Sequence, residues 1–294
     1  MIELLNNIFG IDNTISIPII VSLIVFITGG LGRFVYKTIS NYYSRRFIRY
    51  TFKNIINEIQ KKCQIKANHI KAFYPTLKIE NNNTWTVKLI QITYIELVYM
   101  QDYSLILNSY RKLFRFRCNS NLGVKAFNRI WANLENLKFI EKNMLEEFEN
   151  FHKIFLVHEI QFSKLMEELR KLNDDYFSQF IGRKIFKSEF KDERLFHYLI
   201  NRDKIIKEWQ NHDKSTRKHR SVVFDKIVKP LRKLNKQNQD LEITMELNNI
   251  LINAEHQYEE MKNILKVSHT IFYNYYRNYW SSFKIINKCL EIIT

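Results

Sequence analysis

Glycine and proline are scarce: six glycines and three prolines in 294 residues leave few positions for tight turns or strand bulges. After Gly182 the sequence holds no glycine at all, so the last 112 residues contain nothing that demands a left-handed backbone. Cysteine is scarce too. Cys63, Cys118 and Cys289 are scattered, odd in number and without a C-x-x-C pair, which excludes a disulfide framework and a cysteine zinc site and suits a reducing compartment. Acidic residues are in the minority, 30 Asp+Glu against 46 Lys+Arg, and the net charge of +16 favours anionic lipid, nucleic acid or an acidic protein as partner.

What the chain does have is one long uncharged run. Asn13 to Gly32, NTISIPIIVSLIVFITGGLG, lies between Asp12 and Arg33. Twenty helical residues rise about 30 Å, the thickness of a bilayer's hydrocarbon core. The start of the chain, MIELLNNIFGID, has no Lys or Arg and no small-residue cleavage site, so the run is expected to be a retained anchor rather than a secretory signal. Every nearby cation follows the span, which by the positive-inside rule puts the N-terminus outside and the body in the cytoplasm. The expected organisation is a short N-terminal segment (1–12), a transmembrane helix (13–36), a basic juxtamembrane helix (37–71) and a helical bundle (72–294). The expected fold class is all-α: a single-pass inner (plasma) membrane protein with an elongated cytoplasmic bundle.

Three surfaces stand out. Pro18, Ser22, Gly29 and Gly32 fall close to one face of the span, where small side chains let membrane helices approach closely; Gly29-Gly30-Leu31-Gly32 also fits a flexible exit from the bilayer. Next, Arg33, Lys37, Arg45, Arg46, Arg49 and Lys53 mix with Phe34, Tyr36, Tyr42, Tyr43, Phe47 and Tyr50, with no acid before Glu58. That composition suits a collar at the headgroups of an anionic leaflet, and stacking of bases on rings between cations is the alternative. Finally, Arg217, Lys218, Arg220, Lys226, Lys229, Arg232 and Lys233 make a basic zone that is either a solvated face or a docking surface for nucleic acid or another anion.

Periodicity beyond the collar is helical. Pro75 and three asparagines break the chain at Ala72–Thr86, with room for a short extended piece, and helical spacing resumes from Trp85 to about Arg117. Asn119–Gly123 reads as a turn, followed by a helix from Val124 to about Leu172 on the rhythm Phe127, Ile130, Trp131, Leu134, Leu137, Phe139, Phe151 and Phe155. Ile181-Gly-Arg-Lys punctuates the chain. Helices are expected at Phe186–Asn211, Thr216–Asn235 (kinked or restarted near Pro230), Asp240–Lys266 and Ser268 to the end, with Asp240 and Ser268 as N-caps. The aromatic stripe Phe272, Tyr276, Tyr279 and Phe283 fits a core or a subunit interface.

No group of residues suggests chemistry. The eight histidines form no H-E-x-x-H, and no three or four ligands converge by spacing. The R-x4-6-H pair of HEPN ribonucleases is missing; Arg194–His197 and Arg217–His219 are too close. Phosphate-loop, dinucleotide and nucleophile-elbow motifs are also missing. The expectation is therefore a non-enzyme without metal, cofactor or catalytic residues.

One stretch carries a resemblance. Asn121-Leu-Gly-Val-Lys-Ala-Phe-Asn-Arg-Ile-Trp131 resembles the G-[RK]-x-A-F motif at the head of a helix in phage abortive-infection membrane proteins of bacteria. Asp175-Tyr-Phe-Ser-Gln-Phe180 echoes that family's downstream aromatic motif, and its second membrane helix has no counterpart here. The resemblance implies a membrane effector or accessory protein of an anti-phage defence system, with a defence partner protein. Acting as a homo-oligomer in the lipid bilayer, it would disrupt the membrane. The alternative is a membrane-tethered scaffold that binds nucleic acid or protein through its basic helices.

Overall fold

The computed structural model describes residues 13–81, 85–86, 91–117, 120–177 and 192–293. It is all-helical, with no strand among the described residues. The elements are α1 (Asn13–Phe73), a 3-10 turn (Tyr74–Thr76), α2 (Tyr94–Tyr99), α3 (Tyr103–Arg117), α4 (Ser120–Phe177), α5 (Glu193–Gln210), α6 (Arg220–Val223), a π-helical turn (Phe224–Val228), α7 (Lys229–Lys236) and α8 (Glu242–Ile293). The segment 1–12, Cys118, the Ile181–Lys184 punctuation and residues 178–180 of the downstream aromatic echo lie outside the described residues.

Two compact units form: Met1–Gln60 with Thr93–Asn133 and Ile285–Thr294, and Lys61–Ile92 with Leu134–Lys284. In the first, α1 becomes buried from Phe52 onward, where Phe52, Ile56 and Ile59 join Tyr110, Phe127 and Ile286 in the core. The Phe52 ring lies 5.5 Å from Phe127 and 6.0 Å from Tyr110. Arg49 fixes this corner: its Nη1 donates to the Ser109 carbonyl at 2.7 Å.

In the second unit, Cys63, Ala67, Ile70 and Phe73 of α1 face the buried stripes of α4 and α8. The Phe73 ring lies 5.0 Å from Phe272, edge on. At the centre sits a polar group. Lys66, only 3% exposed, places Nζ 2.6 Å from Oε1 of Glu141, and the Tyr279 hydroxyl donates to the same oxygen at 2.6 Å. The ammonium also lies 5.2 Å from the centre of the Tyr279 ring. One residue from each long helix thus meets at one carboxylate, and the neighbouring Cys63 thiol is pushed up to about 12 by burial and by Glu141.

Four boundaries differ from expectation. Gly123 is helical and buried, the first position of the α4 stripe, so packing overrides the turn composition of Ser120–Gly123. That stripe then runs through Ile140 and Met144, leaving Phe139 exposed at 65% on the other side. Ser268 does not start a helix: it is a buried position inside α8, where Leu265, Ser268 and Phe272 keep the stripe unbroken. Asp240 pairs with the Arg194 guanidinium instead of capping α8.

The expected Trp85–Arg117 helix is also divided. Trp85 is not helical, and α2 and α3 are separated where Asp102 caps α3 by accepting from the Ser104 amide at 2.7 Å. Pro75 stops α1 as expected, through a 3-10 turn rather than an extended piece. Pro230 opens α7 directly after the π-helical turn, so that turn is the expected restart.

Glu141→Ala should lower unfolding stability by about 3–5 kcal/mol in a denaturant titration, because it strands a buried ammonium. Tyr279→Phe should cost about 1.5–3 kcal/mol, the usual value of a hydrogen bond to a charged acceptor. Alkali gives a second measurement. Burial pushes Tyr110 and Tyr198 up to about 12, whereas an unfolded tyrosine titrates near 10. Across that window the folded chain holds more protons, so stability must fall as pH rises through it. Tyr110→Phe should flatten the fall in a melting-temperature series from pH 9 to 12.

Candidate functional site

The first part of α1 has no covering layer. Ile20–Thr76 is the one described helix long and apolar enough to cross a membrane, and the apolar window within it is unburied. The large side chains Val25, Phe26, Leu31, Phe34 and Val35 are all exposed. Its polar groups are satisfied locally: Thr28 donates to the Ile24 carbonyl at 2.7 Å and Thr38 to Phe34 at 2.8 Å. A helix that closes its own hydrogen bonds and turns apolar side chains outward is suited to lipid.

On the small-residue face, Pro18, Ser22, Gly29 and Gly32 are exposed. A Cβ added at Gly29, Gly30 or Gly32 meets nothing within 4 Å. Larger residues at these positions therefore disturb nothing within this chain, and any effect they have reports a contact with another molecule.

The six collar cations divide by role. Arg33, Lys37, Arg46 and Lys53 are exposed and Arg45 is half-buried, whereas Arg49 is committed to Ser109 inside the fold. Their aromatic neighbours Phe34, Tyr36, Tyr42, Tyr43, Phe47 and Tyr50 are all exposed.

The basic zone divides in the same way. Arg217 lies over the Trp209 ring at 5.7 Å and donates to the Gln210 carbonyl at 3.3 Å. Arg232 pairs with Glu255 at 2.5 Å. Arg220 pairs with Glu159 at 3.3 Å, with its guanidinium 5.4 Å from Trp85 and 5.1 Å from Phe155; burial lowers its pKa from the usual arginine value. Lys218, Lys226, Lys229 and Lys233 stay exposed, and the last three follow one another at helical spacing.

The residues that hold the cores together escape a reading by spacing. Trp85 is one: Nε1 donates to the Thr76 carbonyl at 2.9 Å, and the ring sits 4.8 Å from Phe155. Lys66 and Glu141 are others, and their signal is faint, a Lys and a Glu on or beside a buried stripe; Tyr279, on the expected aromatic stripe, is fully buried with Phe272. Two histidines lie against rings, His152 against Phe148 at 4.5 Å and His269 against Tyr74 at 5.1 Å, and His158 meets Gln257 at 2.7 Å. Among the described residues, no group of three or more His, Cys, Asp and Glu is placed to hold a metal.

Arg220→Met should destabilise the chain by about 2–4 kcal/mol in a denaturant titration, since it strands Glu159 and removes the cation from two rings. Lys229→Met should stay within about 0.5 kcal/mol, as a solvated surface change does. The chain matches no family model, no curated protein and no solved structure.

Proposed function

We propose that this protein is a single-pass, inner-membrane helical effector or accessory protein of a bacterial anti-phage system, acting as a homo-oligomer that disrupts the membrane. Asn13–Gly32 is its anchor, the N-terminus faces out and the helical body lies in the cytoplasm. The observation that carries this reading is the wholly uncovered apolar part of α1, together with glycines that have open space around them. An exposed apolar helix of this length is costly in water and suited to a bilayer. A lone span encloses no pore, so membrane disruption requires several copies. The defence role is supported by the Asn121–Trp131 resemblance and by the absence of any catalytic motif in the sequence.

A second reading is favoured by the exposed lysines Lys218, Lys226, Lys229 and Lys233: a tethered module that docks nucleic acid or an acidic protein. Phosphate contacts would make its affinity fall steeply with salt. A filter-binding titration that shows no nucleic-acid retention at low salt rules out the nucleic-acid form of this reading.

The full chain reconstituted into dye-loaded vesicles should release dye and migrate as an oligomer on a native gel. Gly29→Leu with Gly32→Leu should cut leakage at least tenfold while flotation with the vesicles is unchanged. A monomer that leaves vesicles sealed overturns the reading, as does undiminished phage plating on cells that express the chain.

A further inference from the structure

Past Gly32, α1 carries a row of large side chains that no described residue covers. Tyr36, Ile39, Tyr43, Phe47 and Tyr50 are exposed at 76%, 51%, 62%, 69% and 65%. Their spacing repeats after eleven residues, Tyr36 to Phe47 and Ile39 to Tyr50. Eleven residues in three turns is about 3.67 per turn, close to the 3.6 of a straight helix, so the row runs down one side. Followed toward the N-terminus, the same side passes through Gly32, Gly29 and Ser22.

At about 100° per residue, Lys37, Arg45 and Arg49 point away from this row, while Arg33, Arg46 and Lys53 flank it. No acidic residue lies between Arg33 and Asn57. The row is therefore an uncharged seam on a basic helix.

Height decides what covers it. If the hydrocarbon layer ends near Gly32, α1 lifts Tyr43 by about 17 Å and Tyr50 by about 27 Å beyond it, at 1.5 Å per residue. The headgroup layer is about 5–8 Å thick on each side, and a usual tilt of about 20° lowers these heights by less than a tenth. Tyr36 lies within headgroup reach, but Tyr43, Phe47 and Tyr50 lie above it. On that placement lipid does not reach these three rings.

We infer that the occupant is a second copy of this chain, packed in parallel along Tyr36, Ile39, Tyr43, Phe47 and Tyr50; the inference rests on Asn13–Gly32 being the anchor. The bilayer then holds all copies in one orientation and at one depth, so identical rows meet ring against ring. At about 200 Å² per aromatic side chain, the four rings leave on the order of 500 Å² exposed per chain. Two facing rows remove up to about 1,000 Å², the lower bound for a specific interface, before the membrane portion is added. The flanking arginines of two parallel copies repel one another, so salt strengthens this contact by screening them.

The test uses the full chain in membrane vesicles, with Cys118→Ser to lower background, first floated to confirm anchoring and then oxidised with copper phenanthroline. Tyr43→Cys and Phe47→Cys should form disulfide-linked dimers at least fivefold more than Tyr42→Cys and Arg45→Cys, which lie off the seam. Phe47→Arg should lower the native-gel dimer at least tenfold with flotation intact, and 500 mM salt should raise the wild-type dimer above its level at 50 mM. A wild-type chain that does not float fails the anchor reading before any crosslink is read. A chain that floats yet crosslinks equally at positions 42 and 43, or not at all, overturns the seam. Loss of association with rising salt overturns it as well and assigns the rings to an acidic partner.

Discussion

A single carboxylate oxygen fixes the arrangement of the second unit. Glu141 Oε1 takes the Lys66 ammonium and the Tyr279 hydroxyl, both at 2.6 Å, and so ties α1, α4 and α8 at one level. Apolar stripes alone allow long helices to slide by a turn, because each turn offers similar surface. A buried charge has no such freedom: a slip of one turn would leave Lys66 and Glu141 buried apart, at several kcal/mol per ion. The ion pair contributes less to net stability than to choosing one register among several. Burial of the tyrosine holds its hydroxyl far above its ordinary pKa and keeps it a donor.

With that register set, α1 must satisfy two surroundings along one helix. From Phe52 onward it presents a buried stripe to its own chain; before Phe52 most of its large apolar side chains are exposed. The transition is sharp because Arg49 and Tyr110 close the end of the first core: Arg49 donates to Ser109, and the Tyr110 hydroxyl reaches the Arg49 carbonyl at 3.3 Å. Exposed apolar surface on this scale is not tolerated by a lone chain in water. In the function proposed above, lipid covers the part before Gly32 and a second copy covers the part after it.

Much of this was legible in the sequence, for physical reasons that also explain the failures. The long apolar N-terminal helix and the other long helices rest on composition and period, which need no neighbour. The break at Pro75 and the restart at Pro230 rest on a residue that lacks a backbone donor. The failures all needed a partner from elsewhere in the chain. Ser120–Gly123 has the composition of a turn, yet Gly123 starts a buried stripe; Ser268 is a good cap, yet the stripe Leu265, Ser268, Phe272 gives α8 no reason to stop there. Trp85 looked helical by spacing, but its indole is held by the Thr76 carbonyl and its ring by Phe155. Lys66 and Glu141 lie 75 residues apart, and no local pattern pairs them.

The distribution of cations bears on which anionic partner suits the chain. From Asp192 to Asp240 the arginines are engaged within the chain: Arg194 at the surface with Asp192 and Asp240, Arg202 buried, Arg217 over Trp209, Arg220 with Glu159, and Arg232 with Glu255. Along the π-helical turn and α7, the exposed cations are lysines, among them Lys226, Lys229 and Lys233. Arginine offers a planar fork that reads phosphate with two hydrogen bonds, whereas lysine acts as a hydrated point charge. A surface whose forks are already engaged and whose point charges are free attracts anions without selecting among them. Such a field suits the long-range pull of an anionic leaflet, at roughly 1 kcal/mol per cation near the surface, better than recognition of a particular nucleic acid. Arg33 and Arg46 of α1 add to that pull, and in the dimer proposed above they stand beside the ring seam, where they make the contact sensitive to ionic strength. In that reading charge sets where and how tightly copies gather, while the uncharged seam sets how they fit.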